Sequence, residues 1–135
     1  MTELDIYIDG ASKGNPGPSG IGIIIIKDGC IIKEIARFIG PATNNIAEYT
    51  ALVHALQEGL ILKADAIRIK SDSELLCRQL NKDYKVKSAN IIGLYTQAVN
   101  LLNGFQKVSI QHIPREQNAP ADKLATQAVK QAMKR

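Results

Sequence analysis

Four acidic residues in this chain stand where an acid would ordinarily be avoided. Asp9 closes an alternating apolar run and opens Asp9-Gly10-Ala11-Ser12-Lys13-Gly14-Asn15-Pro16-Gly17. Glu48 lies in Thr43-Asn44-Asn45-Ile46-Ala47-Glu48-Tyr49, on the inward stripe of an expected helix. Asp72 ends a second apolar run, in Ile69-Lys70-Ser71-Asp72-Ser73, and Asp122 opens the last expected helix. Carboxylate oxygens suit hard divalent cations such as Mg²⁺ or Mn²⁺. Four carboxylates brought together repel one another unless a cation sits between them. The chemistry that such a cluster could perform is two-metal cleavage of a phosphodiester. Each acid alone has a simpler reading: Asp9 as an Asx-turn residue, Glu48 as a capping acid, Asp72 as the N-cap of the next helix, Asp122 as a dipole-compensating acid.

The elements that must position them are legible in the pattern. Leu4, Ile6 and Ile8 alternate with Asp5, Tyr7 and Asp9, which predicts a first strand. The Gly/Pro-rich stretch from Gly10 to Gly20 reads as a loop, and Ile21 to Lys27 as a second strand. Asp28-Gly29 is a hairpin signal before a third strand, Cys30 to Ile39. Asn44 or Asn45 caps a helix to about Leu60 whose Ala47, Leu52, Ala55, Leu56 and Leu60 form one apolar stripe. A strand over Ala66 to Ser71, a short helix from Ser73 to Asn81, a helix from Ala89 to Asn103, a strand from Lys107 to Ile113 and a helix from Pro120 to Met133 complete the chain. This order implies an α/β fold with a five-stranded mixed sheet and helices on both faces. Asp9 and Asp72 then fall at the C-terminal ends of strands, where open α/β sheets gather ligands.

Size and composition narrow the class. With 135 residues the chain is expected to form one domain with one substantial core, and its 45% apolar content argues against disorder. No run is long enough to span a membrane, and the N-terminus has no basic start or apolar stretch; a cytoplasmic protein is expected. Net charge is +4. With four acids gathered in one place, the remaining surface is more basic than the total implies, which favours a polyanionic partner such as nucleic acid. Cys30 and Cys77 belong to no CxxC or Cys/His cluster, so zinc is not expected. Buried free thiols are the preferred reading of both, with a disulfide left open.

Taken in order, Asp9-Gly10-x-Ser12-x-Gly14-Asn15-Pro16-Gly17, Thr43-Asn44-Asn45-x-x-Glu48, Ser71-Asp72-Ser73, and Asn118 with Asp122-x-Leu124-Ala125 resemble type 1 ribonuclease H. Any one of these motifs is common; all four in the family's order span nearly the whole chain, 1–135 as a single ribonuclease H domain. The resemblance implies a ribonuclease H-like fold and an endonuclease that hydrolyses the RNA strand of an RNA–DNA hybrid, leaving 5′-phosphate and 3′-hydroxyl ends. It implies two Mg²⁺ or Mn²⁺ ions per site. Asp9 would bridge both; Asp9 and Asp122 would hold the ion that activates water; Asp9, Glu48 and Asp72 would hold the ion at the leaving oxygen. Asn15, Thr43, Asn44 and Asn45 match family positions that contact the hybrid, and the loop with Gly10, Ser12 and Gly14 is expected to bring backbone groups close to it, where a wide minor groove displays the 2′-hydroxyl that separates RNA from DNA.

The resemblance also implies a residue that assists water activation or product release, a mobile His in many members and an Arg in a subgroup, and two positions compete for that place. His112 has a suitable distance from Asp122 but reads as a strand end, and Arg115 occupies the loop; Arg115 is the preferred reading. Glu74 stands where the family pattern has a polar, often amide, residue, and a carboxylate there does not suit a phosphate backbone. There is no Trp and no basic protrusion: only Lys82, Lys85 and Lys87 lie between Asn81 and Ile91. The chain therefore resembles the protrusion-less subgroup, in which double-stranded RNA stays open as a further substrate. A monomer is expected.

Overall fold

The computed structural model describes residues Met1–Lys134. Strands β1 (Glu3–Ser12), β2 (Gly17–Lys27) and β3 (Cys30–Ala42) run as an antiparallel meander. Helix α1 (Asn44–Ile61) then carries the chain across the sheet to β4 (Ala66–Ser71), parallel to β1. Helices α2 (Glu74–Leu80) and α3 (Ala89–Leu102) lead to β5 (Lys107–His112), parallel to β4. A 3₁₀ turn (Arg115–Asn118) passes directly into α4 (Ala119–Met133). The strand order is β3-β2-β1-β4-β5, the mixed five-stranded sheet expected from the pattern.

The alternation in β1 divides the two faces of the sheet. Leu4, Ile6 and Ile8 are fully buried and pack with Tyr49, Leu52 and Leu56 of α1 in the main core. Each such side chain contributes about 1.5–3 kcal/mol through burial. Helix α4 covers the other face with small residues: Ala121, Ala125, Ala128 and Val129 are buried. It lies close because β2 offers glycine opposite it. A Cβ at Gly22 would come within 2.1 Å of the Ala121 carbonyl oxygen. Gly22 is also the register partner of Asp9, so this close approach brings the start of α4 next to Asp9.

The expected loop over Gly10 to Gly20 is a correction. β1 continues to Ser12 and β2 begins at Gly17, with Ser12 paired to Ser19. The reason is that β2 is paired on both sides here, with β1 and with β3, and hidden under α4. Backbone pairing and burial hold it without the side-chain alternation by which strands are usually recognised. Asp9 therefore lies inside a strand and not at its end. Cys30 is a second correction. It is exposed, because β3 is the outer strand of the sheet, whereas Cys77 is buried; both are free thiols. No helix among the described residues is long and apolar enough to cross a membrane.

Candidate active site

Parallel pairing of β1 with β4 puts Ile8 beside Ser71, so the next residues, Asp9 and Asp72, emerge side by side. Glu48 reaches them from the first turns of α1. Its orientation depends on Gly10. A Cβ there would lie 2.3 Å from the Ala47 carbonyl carbon, so only glycine lets β1 and α1 meet backbone to backbone. The Gly10 N–H then donates to Glu48 Oε1 at 2.9 Å. Carboxylate oxygens of Asp9, Glu48 and Asp72 all lie within 4.8 Å of one another. Asp122, in the first turn of α4, is close enough to raise the Asp9 carboxyl and lines the same cleft, but stands outside that tight group of three.

The electrostatics are unfavourable without a cation. Asp9 is 4% exposed and Glu48 8%. Burial, and then the Glu48 carboxylate, push Asp9 well above the ordinary carboxylate range. Burial also raises Glu48, against the lowering effect of Asp9 and of the Gly10 N–H. Glu48 Oε2 is buried and has no hydrogen-bond partner among the described residues. Clustered anionic oxygens with one buried and unpartnered form a donor set that fits a hard divalent cation.

Asn118 organises the cluster from below. It is fully buried. Its Nδ2 donates to the Ile8 carbonyl at 2.8 Å and to Asp72 Oδ2 at 3.2 Å. One amide thus ties β1, Asp72 and the segment that launches α4. The cleft, about 510 Å³, is lined by Asp9, Gly10, Ser12, Asn44, Glu48, Asp72, Arg115, Asp122 and neighbours.

A family model described as "Reverse transcriptase-like" matches residues 7–128. A ribonuclease HI of Halobacterium salinarum is 41% identical over 127 residues, covering 93% of this chain and 64% of its own length. The chain belongs to the type 1 ribonuclease H family. It spans less than two thirds of the length of that curated relative. The crystal structure of RNase H1 from the same archaeon superposes with a TM-score of 0.93 at 39% identity, covering 96% of this chain and 98% of the other. LC11-RNase H1, solved in complex with RNA/DNA hybrid, superposes with a TM-score of 0.90 at 36% identity, covering 96% and 99%.

Within this chain the polar residues before α1 hold one another. Asn15 Oδ1 accepts from the Asn44 N–H at 3.0 Å, and Asn44 Oδ1 accepts from the Ser12 N–H at 3.1 Å. Thr43 caps α1, its Oγ1 accepting from the Ile46 N–H at 3.2 Å. The Ser12 hydroxyl donates to the carbonyls of Gly14 and Ala42. Gly10, Ser12 and Asn44 line the cleft; Gly14, Asn15, Thr43 and Asn45 do not, and the first two are exposed in the β1–β2 turn. Arg115 lines the cleft from the 3₁₀ turn, whereas His112 is exposed at the end of β5 and is not among the lining residues. Glu74 is exposed and accepts from Arg78 Nε at 3.3 Å, one turn along α2.

Two residues escaped the sequence reading as site residues. Asn118 was visible only as part of a motif; no pattern announces an amide buried beneath a carboxylate. Thr126 lines the cleft as well. Its signal was its place one helical turn after Asp122, on the same face of α4.

Proposed function

We propose that this protein is a metal-dependent endonuclease that hydrolyses the RNA strand of RNA–DNA hybrids and leaves 5′-phosphate and 3′-hydroxyl ends. The observation that carries the reading is the group of Asp9, Glu48 and Asp72 oxygens within 4.8 Å, open to a cleft whose walls carry amide and hydroxyl groups. Two Mg²⁺ or Mn²⁺ ions would be held by Asp9, Glu48, Asp72 and Asp122; when bound, they supply an acidified water and charge compensation at the leaving oxygen.

The chain's own residues do the rest. The Gly10 N–H occupies Glu48 Oε1 and leaves Oε2 free of protein partners. Asn118 holds Asp72 at a fixed angle to Asp9. Asn15 and Asn44 each commit the carbonyl oxygen to a backbone N–H, so their amide NH₂ groups are left to donate outward. Donors without acceptors suit phosphate and ribose oxygens. Arg115 places a permanent positive charge on the cleft wall, where a phosphodiester would enter. The hybrid in the LC11-RNase H1 complex supports the substrate assignment.

The test is cleavage of one sequence presented as RNA–DNA hybrid, double-stranded RNA and double-stranded DNA, with Mg²⁺, with Mn²⁺ and with chelator. Metal-dependent cutting of the RNA strand in the hybrid is expected. Metal-independent cutting, or a preference for double-stranded DNA, would overturn the assignment. Cutting of double-stranded RNA as well would widen the substrate range without moving the site.

A further inference from the structure

A second groove continues from the acidic cleft along α4. It measures about 310 Å³ and is lined by Ala11, Ser12, Lys13, Thr126, Val129 and Lys130. Ala11, Ser12 and Thr126 line both spaces, so the two share a wall. The groove has an apolar floor and no carboxylate among its lining residues. Lys13 and Lys130 are exposed and face it from two different elements, the β1–β2 turn and α4. Neither forms an ion pair among the described residues. Cationic side chains therefore stand on two sides: Arg115 lines the cleft itself, and Lys13 and Lys130 line the adjoining groove beyond Thr126.

An acidic centre repels a polyanion, so a substrate strand has to be held by cations beside the centre and not at it. Asp122, Thr126 and Lys130 occur at intervals of four residues and so lie in one row along α4. Eight residues of helix rise about 12 Å. For a duplex whose axis runs along α4, at roughly 3.4 Å of axis per nucleotide of one strand, that is about three to four nucleotides from the acids. We propose that Lys13 and Lys130 grip the phosphate backbone of the cleaved strand about three to four nucleotides to one side of the cut, with Thr126 as the wall that guides it there. The proposal rests on the hybrid-cleaving reading, and it gives this chain a phosphate grip that does not depend on a basic protrusion.

The experiment measures equilibrium binding of a fluorescent RNA–DNA hybrid across a salt series. Wild type, the Lys13→Ala/Lys130→Ala double variant, the charge-retaining Lys13→Arg/Lys130→Arg variant and Lys27→Ala are compared. Lys27, exposed at the opposite end of β2, controls for loss of a charge elsewhere. The alanine pair is expected to weaken binding about tenfold at low salt. The slope of log Kd against log salt should become shallower by about one per lysine. The arginine pair should keep the wild-type slope, and Lys27→Ala should match wild type. Hybrids shortened step by step on either side of the cut supply the positional test. Trimming one side below about three nucleotides should erase the difference between wild type and the alanine pair. Wild-type affinity and slope in the alanine pair would overturn the proposal. So would a loss that is the same whichever side is trimmed. Wild-type cleavage of the hybrid, scored separately, reports on the functional reading, so the two fail independently.

Discussion

Asp5 and Asp9 stand four residues apart on β1, and each faces β4, yet their surroundings are opposite. Asp5 is the register partner of Arg68, which donates to both of its oxygens, from Nε at 2.7 Å and from the terminal nitrogen at 3.0 Å. Lys70 stands 3.5 Å away and also lies over the Tyr7 ring. The Arg68 hydrogen bonds hold the Asp5 carboxyl below its usual range. Asp9 meets Glu48, Asp72 and Asp122 instead, and forms no ion pair among the described residues. At Asp5 the protein completes the charge itself. At Asp9 the neighbours are acids instead, a set of oxygens that fits a cation. A structural acid and a site acid on one strand are told apart by what the neighbouring strand and helices bring.

The contrast can be broken at its stronger end. Asp9→Asn should lower hybrid cleavage by on the order of 10³-fold or more, about 4 kcal/mol of transition-state stabilisation. It should also raise the melting temperature of the metal-free protein, because the amide needs no proton uptake to sit buried beside Glu48, Asp72 and Asp122. Cleavage at the wild-type rate would refute the metal scheme. Asn118→Ala removes the support of Asp72 while leaving every carboxylate in place. Cleavage is expected to fall about 10- to 100-fold, with more Mg²⁺ needed for half-maximal activity. An unchanged metal requirement would mean that Asn118 does not position Asp72.

Stability against pH sharpens the comparison. Asp9 binds its proton more tightly when folded than when unfolded, so its contribution is fully present below the ordinary value of 3.8 and drains away as pH rises toward the raised folded value. Asp5 has the reverse sign: its contribution is present above 3.8 and lost as pH falls through its lowered folded value. Thermal melts of the metal-free protein should therefore decline from about pH 5 to pH 9. Mg²⁺ or Mn²⁺ should reverse that decline, by about 2.7 kcal/mol at a hundredfold excess over Kd. A metal-free melting temperature that climbs over this range would contradict the assignment. The smallest effect is expected at the paired acid. Asp5→Asn should cost about 1 kcal/mol or less, since the Asp5 and Arg68 side chains are 26% and 41% exposed, and the loss should shrink in high salt. Cleavage should not change; a loss there comparable to that of Asp9→Asn would erase the distinction.

Much of this was legible along the chain. The alternation of Leu4, Ile6 and Ile8 and the apolar stripe of α1 reflect burial on one face, which a pattern of period two or 3.6 records directly. The four acids were recognisable because each sits in a short motif next to the apolar pattern of such an element. The extension of β1 and β2 through Ser12 and Gly17 was not, because glycine and proline carry no alternation to read. Nor was the exposure of Cys30, which depends on β3 being the outer strand.

By itself, then, the sequence determined the kinds of elements, their order and the four carboxylates that the fold would bring forward, because these follow from local pattern and residue chemistry. Only the tertiary structure decided which acids share a site. Parallel pairing of β1 with β4 sets Asp9 beside Asp72, the close approach at Gly10 turns Glu48 inward, and Gly22 admits the helix that carries Asp122. It also decided that Asn118 is a support and that Asp5 is neutralised while Asp9 is not. The physical reason is the same in each case. A charge acquires its meaning from partners distant in sequence, and those partners are set by strand register and by how closely two backbones can approach.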